Sequence, residues 1–66
     1  MQIQLNGQAQ SIDDATTVAE LLERNGYAGR RVAIEINQSI VPRSAHATRR
    51  VVEGDCIEIV QAMGGG

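Results

Sequence analysis

The sequence contains no tryptophan, no phenylalanine and no lysine, and it has one cysteine, one histidine, one proline and one tyrosine. One cysteine cannot form an internal disulfide, and one histidine leaves little material for a metal cluster. The 66 residues are too few for two domains. A chain of this size buries a small core, so we expect a single domain held by compact hydrophobic packing.

These absences exclude several classes of protein. No apolar run approaches the roughly 20 residues of a membrane span, and no apolar segment follows Met1 as in a secretory signal peptide. The net charge is −2 with the charges interspersed, and no aromatic residue lies near the arginine pair at 49–50. A nucleic-acid binder needs a basic face. We therefore expect a cytoplasmic protein that binds neither membrane nor nucleic acid.

The first half of the sequence predicts a hairpin followed by a helix. Residues 1–5 alternate apolar and polar side chains, Asn6-Gly7 is a strong hairpin signal, and residues 8–12 form the returning strand. Thr17 and Glu20 have the spacing of a capping box. The residues at i, i+3 and i+4 form one apolar stripe on the helix: Val18, Leu21 and Leu22. Gly26 is placed to end the helix in the left-handed conformation.

The second half predicts further strands. Residues 32–36 alternate again, and Pro42 indicates an edge or a strand end because it lacks an amide donor. Ser44 is expected to cap one helical turn. A turn at 53–55 leads into the final strand, in which Ile57 and Ile59 point inward and Cys56, Glu58 and Val60 point outward.

This order predicts an α+β fold of the β-grasp type, with a mixed four- to five-stranded sheet covered on one face by one main helix. We assign residues 1–63 to the domain and residues 64–66 to a flexible C-terminal glycine tail. Eleven residues are predicted to form the core: Ile3, Leu5, Ile12, Val18, Leu21, Leu22, Val32, Ile34, Ile36, Ile57 and Ile59.

No catalytic arrangement is evident in the sequence. His46 lies in a polar stretch without an orienting partner, and Cys56 has no basic neighbour in sequence that would activate its thiol. The remaining candidate is the tail, Gly64 to Gly66, which can extend about 10 Å beyond the last strand. Residues without Cβ atoms can pass through a narrow channel and present the Gly66 carboxylate. The alternative is a frayed end without function.

Four segments taken together resemble the ThiS family of thiamin-pathway sulfur carriers: "MQIQLNGQ", "TVAELLE", "AIEINQSIVPRSAH" and "VVEGDCIEIVQAMGGG". The similarity runs from Met1 to Gly66 without an insertion. Val41-Pro42-Arg43 and the turn at 53–55 followed by an alternating strand into Gly-Gly are its specific parts. A terminal Gly-Gly by itself is shared with ubiquitin, with other ubiquitin-like modifiers and with the small subunit of molybdopterin synthase, so these remain alternatives.

The resemblance implies a ubiquitin-like fold and a carrier that is a cosubstrate, not an enzyme. An E1-like adenylyltransferase of the ThiF type would adenylate the Gly66 carboxylate with ATP and magnesium. A sulfur donor such as a cysteine desulfurase would convert it to a thiocarboxylate, and a thiazole synthase of the ThiG type would take the sulfur. The carrier itself would hold no cofactor or metal and would be monomeric when free.

The expected docking residues are Val60, Ala62 and Met63. Val60 is an outward-facing apolar residue that leads directly to the glycines, and methionine adapts well to a partner surface. Gly64 and Gly65 would then thread the tail into the activating enzyme.

Overall fold

A computed structural model describes residues 1–61 of the chain, so the predictions made for residues 62–66 lie outside the described part. The boundary placed after residue 63 therefore stays a prediction. The described elements are five strands, one α-helix and one 3-10 turn. In chain order they are β1 (Gln2–Leu5), β2 (Gln8–Ser11), α1 (Val18–Arg24), β3 (Val32–Ile36), β4 (Ser39–Ile40), the 3-10 turn (Arg43–Ala45) and β5 (Cys56–Gln61).

The strands form one mixed sheet in the order β2-β1-β5-β3-β4. β1 and β5 run parallel, whereas the other three neighbouring pairs are antiparallel. The last strand among residues 1–61, β5, therefore occupies the centre of the sheet, and the helix covers one face. The predicted α+β architecture is confirmed, with five strands in the sheet.

Two tight turns depend on residues with positive φ. Asn6 and Gly7 have φ of 50° and 82°, as the predicted β1–β2 hairpin requires. Asn37 and Gln38 have φ of 52° and 72° and join β3 to β4. Glutamine is uncommon in the left-handed region, so this turn lacks the Asn-Gly signal that marks the first one.

The predicted capping box begins the helix. The Thr17 Oγ1 accepts a bond from the Glu20 amide at 3.2 Å, and a Glu20 carboxylate oxygen accepts one from the Thr17 amide at 2.9 Å. The amides of Val18 and Ala19 donate to the carbonyls of Arg49 and His46, at 2.9 and 2.8 Å. The segment that crosses the helix start therefore satisfies amide donors that would otherwise lack partners.

The capping box also makes the stability of the fold depend on pH. The hydrogen bond from the Thr17 amide to the Glu20 carboxylate, helped by the Thr17 hydroxyl and by Arg24 and Arg50, lowers the pKa of Glu20 below its ordinary value of 4.5. A lowered pKa in the folded state stabilises the fold above the unfolded pKa, and this stabilisation is lost as the pH falls through the folded value. We expect the melting temperature of wild type, minus that of Glu20→Gln, to decrease as the pH is lowered from 6 to 3. An unchanged difference across this range would contradict the assignment.

The core contains nine of the eleven predicted residues. Ile12 and Val32 are only half-buried: Ile12 lies just beyond the edge strand β2, and Val32 is the first residue of β3. Two buried hydrophobic residues were missed: Val41 is 4% exposed and Val51 is 2% exposed. Neither belongs to a periodic segment, so no alternation marked them as buried.

The prediction that Ser44 caps a helical turn is wrong. The 3-10 turn begins at Arg43, its N-cap residue is Pro42, and no side chain caps it. Ser44 lies inside the turn, two positions after the N-cap residue, so its side chain does not cap the first turn. Pro42 follows the edge strand β4, as predicted for a residue without an amide donor. Among the described helices, none is long and apolar enough to cross a membrane.

Candidate functional site

The central strand β5 connects the domain to the glycines. It pairs with β1 on one side and with β3 on the other, and its last residue, Gln61, lies opposite Val32. Residues 62–66 follow directly. Because β5 is hydrogen-bonded to a strand on each side, its position in the domain is fixed.

The start of β5 is anchored by a buried carboxylate. Asp55 is 4% exposed, and its two carboxylate oxygens accept bonds from the Asn37 side-chain amide at 3.0 Å and from the Val52 backbone amide at 2.9 Å. The Asn37 side-chain oxygen in turn accepts a bond from the Cys56 amide at 3.0 Å. The hairpin between β3 and β4 is thereby fastened to the first residue of β5.

A second anchor lies further along β5. The Asn6 amide donates to the Ile57 carbonyl at 2.8 Å, and the Asn6 side-chain oxygen accepts from the Ile59 amide at 2.8 Å. Because β1 ends at Leu5, this side chain extends the pairing of β1 with β5 by one more step. The residue after Ile59 is Val60, whose position is thus set by two neighbouring strands.

The two faces of β5 are as predicted. Ile57 and Ile59 are buried against the helix, whereas Cys56, Glu58 and Val60 lie on the open face of the sheet. The Val60 side chain is 56% exposed. It lies opposite the exposed Ala33 of β3, so a small apolar patch lies near the end of β5.

His46 and Cys56 are the other reactive side chains that the sequence analysis considered. The His46 Nε2 lies 3.2 Å from the Val41 carbonyl, which is a structural contact. The Cys56 thiol is free and exposed at the start of β5. Among residues 1–61 there is no group of three or more side chains that could hold a metal ion.

Of the predicted site residues, only Val60 belongs to the described chain. Ala62, Met63, Gly64, Gly65 and Gly66 lie outside it. The predicted exposure of Val60 is confirmed, and its role in docking stays a prediction. Sequence reasoning missed Asn6, Asn37 and Asp55, which hold β5 in place. The Asn-Gly pair pointed to Asn6 only as a turn residue.

The sequence model of the ThiS family matches residues 3–66, nearly the whole chain. The chain belongs to the ThiS family. The sulfur carrier protein ThiS of Escherichia coli is 42% identical over 66 residues, and the match covers all of both chains. The crystal structure of the thiamine biosynthesis protein ThiS from Geobacter metallireducens matches with a TM-score of 0.85 at 32% identity, again over the whole of both chains.

This ThiS-family chain also matches part of a larger protein. The thiazole synthase of Paramagnetospirillum magneticum is 41% identical to it over 66 residues, which are all of this chain and 20% of the synthase. The chain thus spans a fifth of the length of that relative. The solved ThiS structure establishes the predicted ubiquitin-like fold, because the likeness extends over every described element.

Proposed function

We propose that this protein is a sulfur carrier for the formation of the thiazole of thiamine. The observation that carries the proposal is the match to the sulfur carrier ThiS of Escherichia coli, which runs through the glycines and covers both chains completely. The anchored central strand β5 supports it, because β5 is paired on both sides and leads in sequence to the glycines.

The proposed chemistry takes place at the Gly66 carboxylate. A carboxylate is a poor electrophile, so its oxygen first attacks the α-phosphorus of ATP and pyrophosphate leaves. The terminal sulfur of a persulfide then attacks the acyl carbon and AMP leaves. A thiol reduces the resulting acyl disulfide, which frees the thiocarboxylate. The ATP and magnesium belong to an E1-like adenylyltransferase, and the persulfide belongs to a cysteine desulfurase. The carrier acts as a cosubstrate.

The proposed acceptor is a thiazole synthase of the ThiG type. The support is the thiazole synthase that contains a stretch 41% identical to this entire chain. A carrier sequence within the same polypeptide as a synthase is expected if the two act on each other. The glycines then serve two partners in turn, so they must leave each one after reaction.

Intact-mass analysis tests this function. The protein is incubated with magnesium, ATP, an E1-like adenylyltransferase from the same genome, a cysteine desulfurase, cysteine and a thiol reductant. We expect the mass increase of one oxygen-to-sulfur exchange, located by fragmentation at Gly66. No reaction is expected without ATP. Sulfur found on Cys56 instead of Gly66 would overturn the proposal.

Val60 is expected to contribute to docking of the adenylyltransferase. Val60→Asp should weaken binding by about 1–2 kcal/mol, because the contact would desolvate a charge. The melting temperature should change little, since exposed substitutions usually cost within about 0.5 kcal/mol. Calorimetry at fixed salt measures the affinity.

Val52→Asp is the matched control for this prediction. Val52 is 58% exposed, close to the value for Val60, but it precedes β5 whereas Val60 lies near its end. We expect Val52→Asp to bind like wild type. Equal affinities for the two variants would place docking elsewhere on the domain.

A further inference from the structure

A groove of about 380 Å³ lies beside the end of β5, and we call it the tail-root groove. Its lining residues are Arg31, Val32, Ala33, Arg43 and Val60. The apolar part comes from the sheet, where Ala33 lies opposite Val60. The two arginines come from the residue before β3 and from the first residue of the 3-10 turn.

The arginines of the groove have no acidic partner in the described chain. The one arginine side chain that forms an ion pair within residues 1–61 is Arg24, with Asp13 at 3.4 Å. Arg30 lines an adjoining groove that shares Arg43 and Val32 with the first. Three of the six basic residues therefore gather at this point of a chain whose net charge is −2.

A basic surface on an acidic protein favours a partner of opposite charge. A guanidinium binds a carboxylate through two parallel hydrogen bonds, and it does so better than an ammonium group because it is planar and weakly hydrated. The apolar floor formed by Ala33 and Val60 adds a contact that a free ion cannot use. The chemistry fits a peptide segment with a carboxylate next to an apolar side chain.

We propose that the tail-root groove binds an acidic segment of the adenylyltransferase, with its carboxylate on Arg31 and Arg43 and an apolar side chain against Val60. This inference rests on the proposed function. A nucleotide phosphate is the other anion that these arginines could bind during adenylation. However, the five residues 62–66 would span about 17 Å if extended. An enzyme that holds them in that form at Gly66 therefore contacts the groove with a surface distant from the reacting phosphate.

Charge reversal tests the inference. Arg31→Glu and Arg43→Glu are compared with Arg49→Glu, which makes the same change in net charge at another exposed arginine. We expect each groove variant to raise the Kd for the adenylyltransferase about tenfold, and the control to raise it less than about threefold. The difference should shrink as salt is raised from 0.05 to about 0.5 M, because salt screens exposed charges.

Neutral variants and a direct signal complete the test. Arg31→Gln and Arg43→Gln should give intermediate affinities, and they cover the case in which a reversed charge disturbs folding. In wild type, the side-chain NMR signals of Arg31 and Arg43 should shift when the adenylyltransferase is added, and that of Arg49 should not.

Three results would contradict the groove inference, and only the last of them would also contradict the proposed function. If wild type is adenylated but Arg49→Glu weakens binding as much as the groove variants, net charge alone acts and the groove inference is wrong. If magnesium and ATP without enzyme shift the signals of Arg31 and Arg43, the groove binds nucleotide and the inference is again wrong. If no adenylyltransferase binds or adenylates wild type, the proposed function fails and the inference fails with it.

Discussion

Adding one alanine after Gly66 is expected to abolish thiocarboxylate formation and to leave the fold unchanged. The proposed chemistry needs a glycine carboxylate that reaches the nucleotide through a narrow channel. An added alanine converts that carboxylate into an amide and places a Cβ atom at the reacting residue. Intact mass after incubation with the adenylyltransferase, ATP and the sulfur donor measures the loss, and circular dichroism verifies folding.

Gly64→Ala is the companion variant. It adds one methyl group to the same segment and keeps Gly66 as the last residue. We expect it to be sulfurated more slowly than wild type, in contrast to the complete loss in the extended protein. Normal sulfuration of the extended protein, with the added alanine still present in the mass spectrum, would show that Gly66 does not carry the sulfur.

Removing the buried carboxylate of Asp55 is expected to give a large loss of stability. Asp55→Ala leaves the amides of Asn37 and Val52 without their acceptors. Hydrogen bonds to a charged group contribute about 1.5–3 kcal/mol each, so losing two of them should lower the free energy of unfolding by roughly 3–6 kcal/mol. The total stability of a domain of this size is only about 3–10 kcal/mol.

Asp14→Ala is the control for the loss of a negative charge. The Asp14 side chain is 91% exposed, and we expect a change within about 0.5 kcal/mol. Asp55→Asn should recover only part of the stability, because an amide has one acceptor oxygen where two donors must be satisfied. Urea unfolding compares the variants, and equal stability for Asp55→Ala and Asp14→Ala would contradict the anchoring role.

Stability and function are linked through β5. Asp55 and Asn37 hold the start of this strand, and Asn6 holds it near Ile59. In the proposed function, a carrier that serves two enzymes in turn must present its tail from the same place each time. The polar anchors are therefore placed where they fix the strand without occupying its exposed face.

Where local chemistry decides the structure, the sequence was sufficient. The capping box of Thr17 and Glu20 and the Asn6-Gly7 turn each act over a few residues, so their patterns predicted them correctly. Strict alternation in β5 predicted which side chains face the core. The resemblance of the whole chain, and not any single motif, pointed to the family and so to Gly66.

Tertiary structure alone decided the features that join distant parts of the chain. Val41 and Val51 are buried because an irregular segment crosses the start of the helix, and irregular segments have no period to recognise. The Asp55–Asn37 pair spans 18 residues, and the tail-root groove joins Arg31 and Arg43 to Val60. Pairing across such distances depends on strand order and register, because these bring the residues together only when the whole sheet has formed.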